Sequence, residues 1–210
     1  MLRSNSIPSK QVNKTRARVT SYLIPLIFVA TSMMGANAQA ADSMDGLKKV
    51  MKGQLAIMKP KLRNKVENLS TDTKMSLMSI LAMHSRYSEK ATLRQVMLEV
   101  LADYQTMVMG IMTDSSEMAA DSARRLANHR IPVGGLLPYL GLENITDERL
   151  AVLDTFNSSV EGNANKLADA AEKGDMAKAA SFLGPISTGC VGCHQVFRAY
   201  PGQSDLLKIN

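Results

Sequence analysis

Tryptophan is absent, and only five tyrosines and four phenylalanines punctuate a chain rich in methionine, alanine and leucine. Valine and isoleucine rarely alternate with polar residues, so the period-two pattern of a half-buried strand is scarce. Met, Ala and Leu lose little freedom in a helical turn, and the composition therefore points to an all-α chain. Its 210 residues suffice for one domain of ordinary size with an extension. Cysteine is nearly absent as well. With only Cys190 and Cys193 in the chain, a zinc site that needs four ligands cannot be closed by thiolates. A disulfide between them would close a very short loop and constrain little. A thioredoxin-like role wants a βαβ setting that the sequence lacks.

Acid is missing from the first forty residues, whereas Arg3, Lys10, Lys14, Arg16 and Arg18 all lie there. An apolar run follows from Tyr22 to Ala30, and Ala38-Gln39-Ala40 gives a small-x-small pattern. This order reads as a secretory signal peptide over 1–40, cut after Ala40, with a periplasmic product. The apolar run is short of the ~20 residues that span a bilayer, so no membrane span is expected after cleavage. From Ala41 onward the basic and acidic residues number twenty and nineteen. The high pI of the whole chain therefore belongs to the leader and does not indicate nucleic-acid binding. Basic residues outnumber acidic ones ten to five over 41–90. That excess suits an acidic partner or lipid head groups, though a solvated helix surface is the simpler reading.

Apolar spacing at Leu47, Val50, Met51, Leu55 and Met58 predicts a helix over 44–66, kinked or ended by Pro60. A second helix is expected from the Ser70-Thr71-Asp72 caps to about Tyr87. Val96, Met97, Val100, Leu101, Tyr104, Met107, Val108 and Ile111 form a broad stripe on a helix over 91–113. Another helix follows Asp114 or Ser115 and runs to about His129. Residues 130–141 hold Pro132, Gly134, Gly135, Pro138 and Gly141 and read as a polar loop. Thr146 caps one long helix to Gly174, Asp175 caps a short one, and Pro185 sits in the first turn of a last helix over about 186–200. Long helices joined in this order predict an antiparallel four-helix bundle over 91–210, preceded by a helical hairpin extension over 41–90. A faint echo runs through the helices: Leu81-Ala-Met-His84 resembles Leu126-Ala-Asn-His129 at an offset of 45.

Cys190-Val-Gly-Cys193-His194 is the attachment pattern for c-type haem. On a helix, positions i, i+3 and i+4 share a face, so two thiols can reach the two vinyl groups while the imidazole meets the iron. The motif predicts one covalent haem c, with His194 as the proximal ligand. The longer run Cys190-x-x-Cys193-His194-x-x-Phe197-Arg198 resembles the class II cytochromes c, the cytochrome c′ family. The resemblance covers roughly 91–200, and residues 41–90 depart from it.

The resemblance implies that Phe197 packs near the haem and Arg198 lies near its edge or a propionate. It also implies that a residue of the first bundle helix faces the iron. A methionine there gives a six-coordinate electron carrier that works with redox partner proteins. An apolar residue gives a five-coordinate protein that binds nitric oxide or carbon monoxide. Alignment through Leu93 selects Met97, whose thioether suits iron. Alignment through Arg94 selects Leu98 instead, and Met51, Met107, His84 or His129 are further candidates. His84 and His129 each lie near a predicted helix end, where capping or a surface position is the ordinary role. The methionines at helical spacing read as core rather than as copper ligands. Nothing resembles the distal acid–base pair of a haem peroxidase, so an electron carrier rather than an enzyme is expected. Family members often dimerise through their first helices, and residues 41–90 could block or replace that homodimer contact.

Overall fold

The computed structural model describes residues 33–197 and 206–208. The signal peptide read over 1–40 lies outside them apart from 33–40, and Arg198 lies outside them altogether. The chain divides into two compact units, Met1–Gln39 and Ala40–Asn210. The described residues of the second unit are predominantly helical and contain no strand. Two isolated bridges, Met58 with Leu207 and Tyr87 with Ile131, are the only ladder-type pairings among them.

Helix α1 spans Met33–Ile57. Pro60 opens a separate helix, α2, Pro60–Glu67, because a proline at the first helical position lacks only an N–H that would be unpaired anyway. Ser70 caps α3, Thr71–Ala82, by accepting from the Thr73 N–H. Helix α4, Leu93–Met112, starts at a reciprocal capping box in which Thr92 and Gln95 satisfy each other's backbone N–H groups. Helix α5, Ser116–Ala127, follows after Asp114 turns the chain at φ 53°. The long helix expected from Thr146 to Gly174 keeps helical backbone angles at Ala151, Asn157 and Gly162, where its segments join, and carries a π turn. Thr146 caps α6, Asp147–Leu150, and α7 covers Val152–Asn157. A π-helical turn occupies Ser158–Gly162, and α8 covers Asn163–Glu172. Asp175 caps α9, Met176–Ser181, and α10 runs Leu183–Phe197.

Paired side chains fix the directions of these helices. Arg125 bonds Asp103 at 2.8 Å and Arg130 pairs with Glu99 at 3.3 Å, so α5 returns antiparallel to α4. Arg124 reaches Asp169 and Glu172, while His129 reaches Glu161, so the π turn and α8 run antiparallel to α5. Gly189 lies against Val160 and Ser159, and Gly192 against Phe156, which makes α10 antiparallel to α7 and the π turn. Helix α10 is therefore antiparallel to α4 as well.

Two apolar clusters hold the unit together. One joins Met107 to Ala119, Ala123, Leu126, Ala164, Leu167, Ala171 and Ile186. Its many alanines allow close approach of α4, α5 and α8. The tightest point is Gly110, where an added Cβ would stand 2.6 Å from the Ala119 backbone nitrogen. Gly110→Ala therefore sets two effects against each other. Helix propensity favours alanine by about 1 kcal/mol. Overpacking against backbone, which cannot swing aside, costs about 1–3 kcal/mol. The expected result is a lowered urea midpoint, and a raised one would show that α4 and α5 can separate freely.

The second cluster bears on the sequence reading in two ways. It joins Met58, Leu62 and Leu69 to Leu140, Ile145, Leu150, Leu153 and Phe197. Residues 41–90 thus share a core with the later chain. The breaker-rich segment is also not a polar surface loop, because Ile131 to Gly135 and Pro138 to Gly141 are all buried. Gly134, Gly135 and Gly141 take positive φ, which folds the segment tightly enough to bury its apolar side chains. The Tyr139 hydroxyl donates to the Val133 carbonyl at 3.0 Å, leaving that buried group satisfied.

Candidate functional site

Helix α10 carries the Cys-Val-Gly-Cys-His motif, and its glycines set the orientation. An added Cβ at Gly189 would meet Val160 Cγ2 at 2.7 Å, and one at Gly192 would meet Phe156 Cε1 at 2.9 Å. These two positions, three apart, form the side pressed against α7 and the π turn. At 100° per residue, Cys190, Cys193 and His194 fall on a neighbouring arc of the same helix. Both cysteines are free thiols and half-buried. Cys190 packs against the first apolar cluster and Cys193 against the second, while His194 is exposed. Phe197 is buried in the second cluster and meets Phe156 edge to face, with ring centroids 6.5 Å apart.

Burial first, and the Glu161 carboxylate second, raise the Cys190 thiol above its ordinary range. The same two causes, with Cys190 itself, push Cys193 up to about 11. Both sulfurs are therefore protonated and poor disulfide-forming nucleophiles at neutral pH.

The register of α4 against α10 can be read from one hydrogen bond. The Tyr104 and Ser187 hydroxyl oxygens are 2.6 Å apart. Met97 is seven residues before Tyr104, and His194 is seven after Ser187. Seven residues are nearly two turns, with only ~20° of drift, so each stays on the face of its reference residue. Because the helices are antiparallel, both displacements run the same way, by about 10 Å. With parallel axes this register would bring Met97 and His194 to one level, each on the face of its reference residue. Met97 is half-buried, whereas Leu98 is 59 % exposed. Met107 is fully buried in the first cluster, and Met51 lies on α1.

His84 and His129 depart from the surface role expected of them. His84 is only 4 % exposed, and the two rings lie 4.6 Å apart by centroid. Each does cap a carbonyl: His84 Nδ1 lies 3.0 Å from the Ile80 oxygen, and His129 Nδ1 lies 2.9 Å from the Arg130 oxygen. His129 Nε2 lies 3.3 Å from Glu161 Oε1, and one ring nitrogen of His84 lies within 4.8 Å of both. Burial and the His129 charge hold His84 below the ordinary imidazole range, against the raising effects of Ile80 and Glu161. Burial also works to lower His129, but the hydrogen bond and charge of Glu161, with the Arg130 carbonyl, outweigh it and the opposing Arg86, and the net shift is upward. Nothing in the sequence singles out Glu161, one acid among nineteen. The shared Leu-Ala-x-His echo was the available hint to the histidines.

No helix among the described residues is long and apolar enough to cross a membrane. No family model, no curated protein and no solved structure matches this chain.

Proposed function

We propose that the chain is a periplasmic monohaem c-type cytochrome that carries electrons, with its haem in a four-helix bundle of α4, α5, α7–α8 and α10. The carrying observation is that Cys190, Cys193 and His194 occupy one arc of one helix, with both thiols free and the imidazole exposed. The antiparallel order of the four helices supports the bundle, and the helical, strand-free architecture agrees with it. The donor set suits the group: each thiol would add across one vinyl, its sulfur bonding the inner carbon and its proton passing to the outer one. His194, and Met97 by the register of α4 on α10, are the residues that would hold the iron. Phe197 and Phe156 offer an apolar wall beside the motif. Bound haem supplies one-electron ferric–ferrous chemistry, and the chain supplies ligand choice, burial and orientation.

The test is export of the full chain in a bacterial host competent for haem attachment. The purified product should carry the mass of one haem per chain after denaturation and show a Soret band. Unmodified polypeptide of the same preparation, lacking that band, would overturn the reading.

A further inference from the structure

With Met97 as the distal ligand the haem reading leaves His84 and His129 unused, and their geometry with Glu161 is that of a ligand set. We propose that His84, His129 and Glu161 form a second, separate site for one divalent first-row metal ion of the zinc or ferrous class. Glu161 also acts on the Cys190 and Cys193 thiols, so the site lies beside the haem motif while sharing none of its residues.

One ligand atom from each of the three residues lies within 4.8 Å of the other two. The carbonyls of Ile80 and Arg130 can only accept, so both imidazoles carry their proton on Nδ1. This is the outer-shell arrangement that fixes the tautomer of a metal-bound histidine and presents a bare Nε2 to the ion. Two acceptors in the cluster are buried and have no hydrogen-bond partner, His84 Nε2 and Glu161 Oε2. An ion pair of protonated His129 with Glu161 satisfies neither of them. Buried unpaired groups cost about 1–3 kcal/mol each, and a single cation answers both.

The dimensions also fit. Ligand atoms around a tetrahedral zinc ion stand ~3.3 Å apart, given bonds of about 2.0–2.1 Å. The His129–Glu161 pair is already at 3.3 Å, and the His84 ligand atom, within 4.8 Å of both, closes to that spacing by a movement of up to ~1.5 Å. Two nitrogens and one carboxylate select a borderline ion such as Zn²⁺ or Fe²⁺ over Ca²⁺ or Mg²⁺, which prefer oxygen alone.

The backbone around Glu161 is unusual in the same place. Glu161 lies within the π turn Ser158–Gly162, a wide turn that recurs at functional sites because it redirects a side chain. About one turn earlier, Asn157 Oδ1 is a further buried acceptor without a partner, while its Nδ2 faces Met83 Sδ at 3.7 Å, beside His84. Arg86 is a nearby cation that opposes charge at His129. A water molecule is the competing occupant. It can donate to two of the converging acceptors but not to three.

The experiment is calorimetric titration of ZnSO₄ into the chelator-treated mature protein, together with its Glu161→Gln, His129→Gln and Cys190→Ala/Cys193→Ala variants. One zinc per chain is expected for the wild type and for the double cysteine variant, with equal affinity. Loss of one inner ligand should weaken binding about 100-fold or more, at or beyond the upper end of outer-shell losses. No saturable binding by the wild type would leave water as the occupant and overturn the proposal. Binding lost with the cysteines and kept in Glu161→Gln would overturn it as well. Zinc-edge absorption of the loaded wild type needs no variant to fold: nitrogen and oxygen scatterers alone are expected, and sulfur would overturn the site.

Discussion

Changing Cys190 and Cys193 together to alanine is expected to remove covalently held haem completely while leaving the helices in place. The double variant should denature to a mass equal to the bare mature chain, and its denatured haem should extract into organic solvent. The fold survives because the cysteines stand at the margins of the two apolar clusters rather than at their centres. Each truncation of a half-buried side chain costs on the order of 1 kcal/mol, well within the 5–15 kcal/mol that an ordinary domain has. Far-ultraviolet circular dichroism should therefore match the wild type. On the proposed reading each single variant should retain one thioether and one intact vinyl group. Haem should stay attached in both, with the pyridine haemochrome band moved to longer wavelength. A single variant that loses all haem would mean that only one sulfur is ever used, which the shared helical arc argues against.

Helix ends were largely legible in the residues. Ser70, Thr146 and Asp175 each accept from the backbone three residues on, as their side chains and positions imply. The last helix begins with Pro185 in its first turn, as its fixed φ favours. The π turn within the 146–174 helix was not legible. The helix's apolar spacing from Leu150 through Leu167 is continuous, and a π turn adds a residue without breaking such a pattern. Ser158, Ser159 and Gly162 weaken the helix there, but weak formers occur in unbroken helices too.

Partners were harder still. Periodicity says which side of a helix is apolar and nothing about what covers it. Leu62 and Leu69 are apolar and in need of cover, yet no local signal tied them to Leu140, Ile145 and Leu153, far along the chain. The buried 131–141 segment shows the same limit from the other side. Its glycines and prolines mark turns, and whether a turn lies inside or outside depends on the apolar residues between them finding a cover. The candidate site divides along that line. Cys190, Cys193 and His194 are neighbours in sequence, so their shared arc follows from helical geometry alone. The meeting of His84, His129 and Glu161 needs three separate stretches to converge, and only the folded chain shows it.

Met97→Ala is expected to convert a low-spin haem protein into a high-spin one. In the ferrous state the wild type should show sharp α and β bands, as a thioether in the sixth position requires. The variant should show one broad band that shifts on addition of carbon monoxide, since the vacated position admits a small ligand. The choice of Met97 follows from the Tyr104–Ser187 hydrogen bond, which sets the α4–α10 register, and from the heptad displacement that carries both faces to the level of His194. Leu98 is turned about 100° away and lies largely in solvent, so Leu98→Ala should leave the spectrum unchanged. Met97 is half-buried, so its truncation costs about 1–2 kcal/mol, less than the 2–5 kcal/mol of a fully buried methionine. The variant therefore remains folded and its spectrum is interpretable. An unchanged spectrum would reject Met97 as ligand, and conversion by Leu98→Ala would mean that α4 is rotated by one residue once the haem is in place. Conversion by Met97→Ala alone would assign the sixth position and, with it, electron transfer over gas binding.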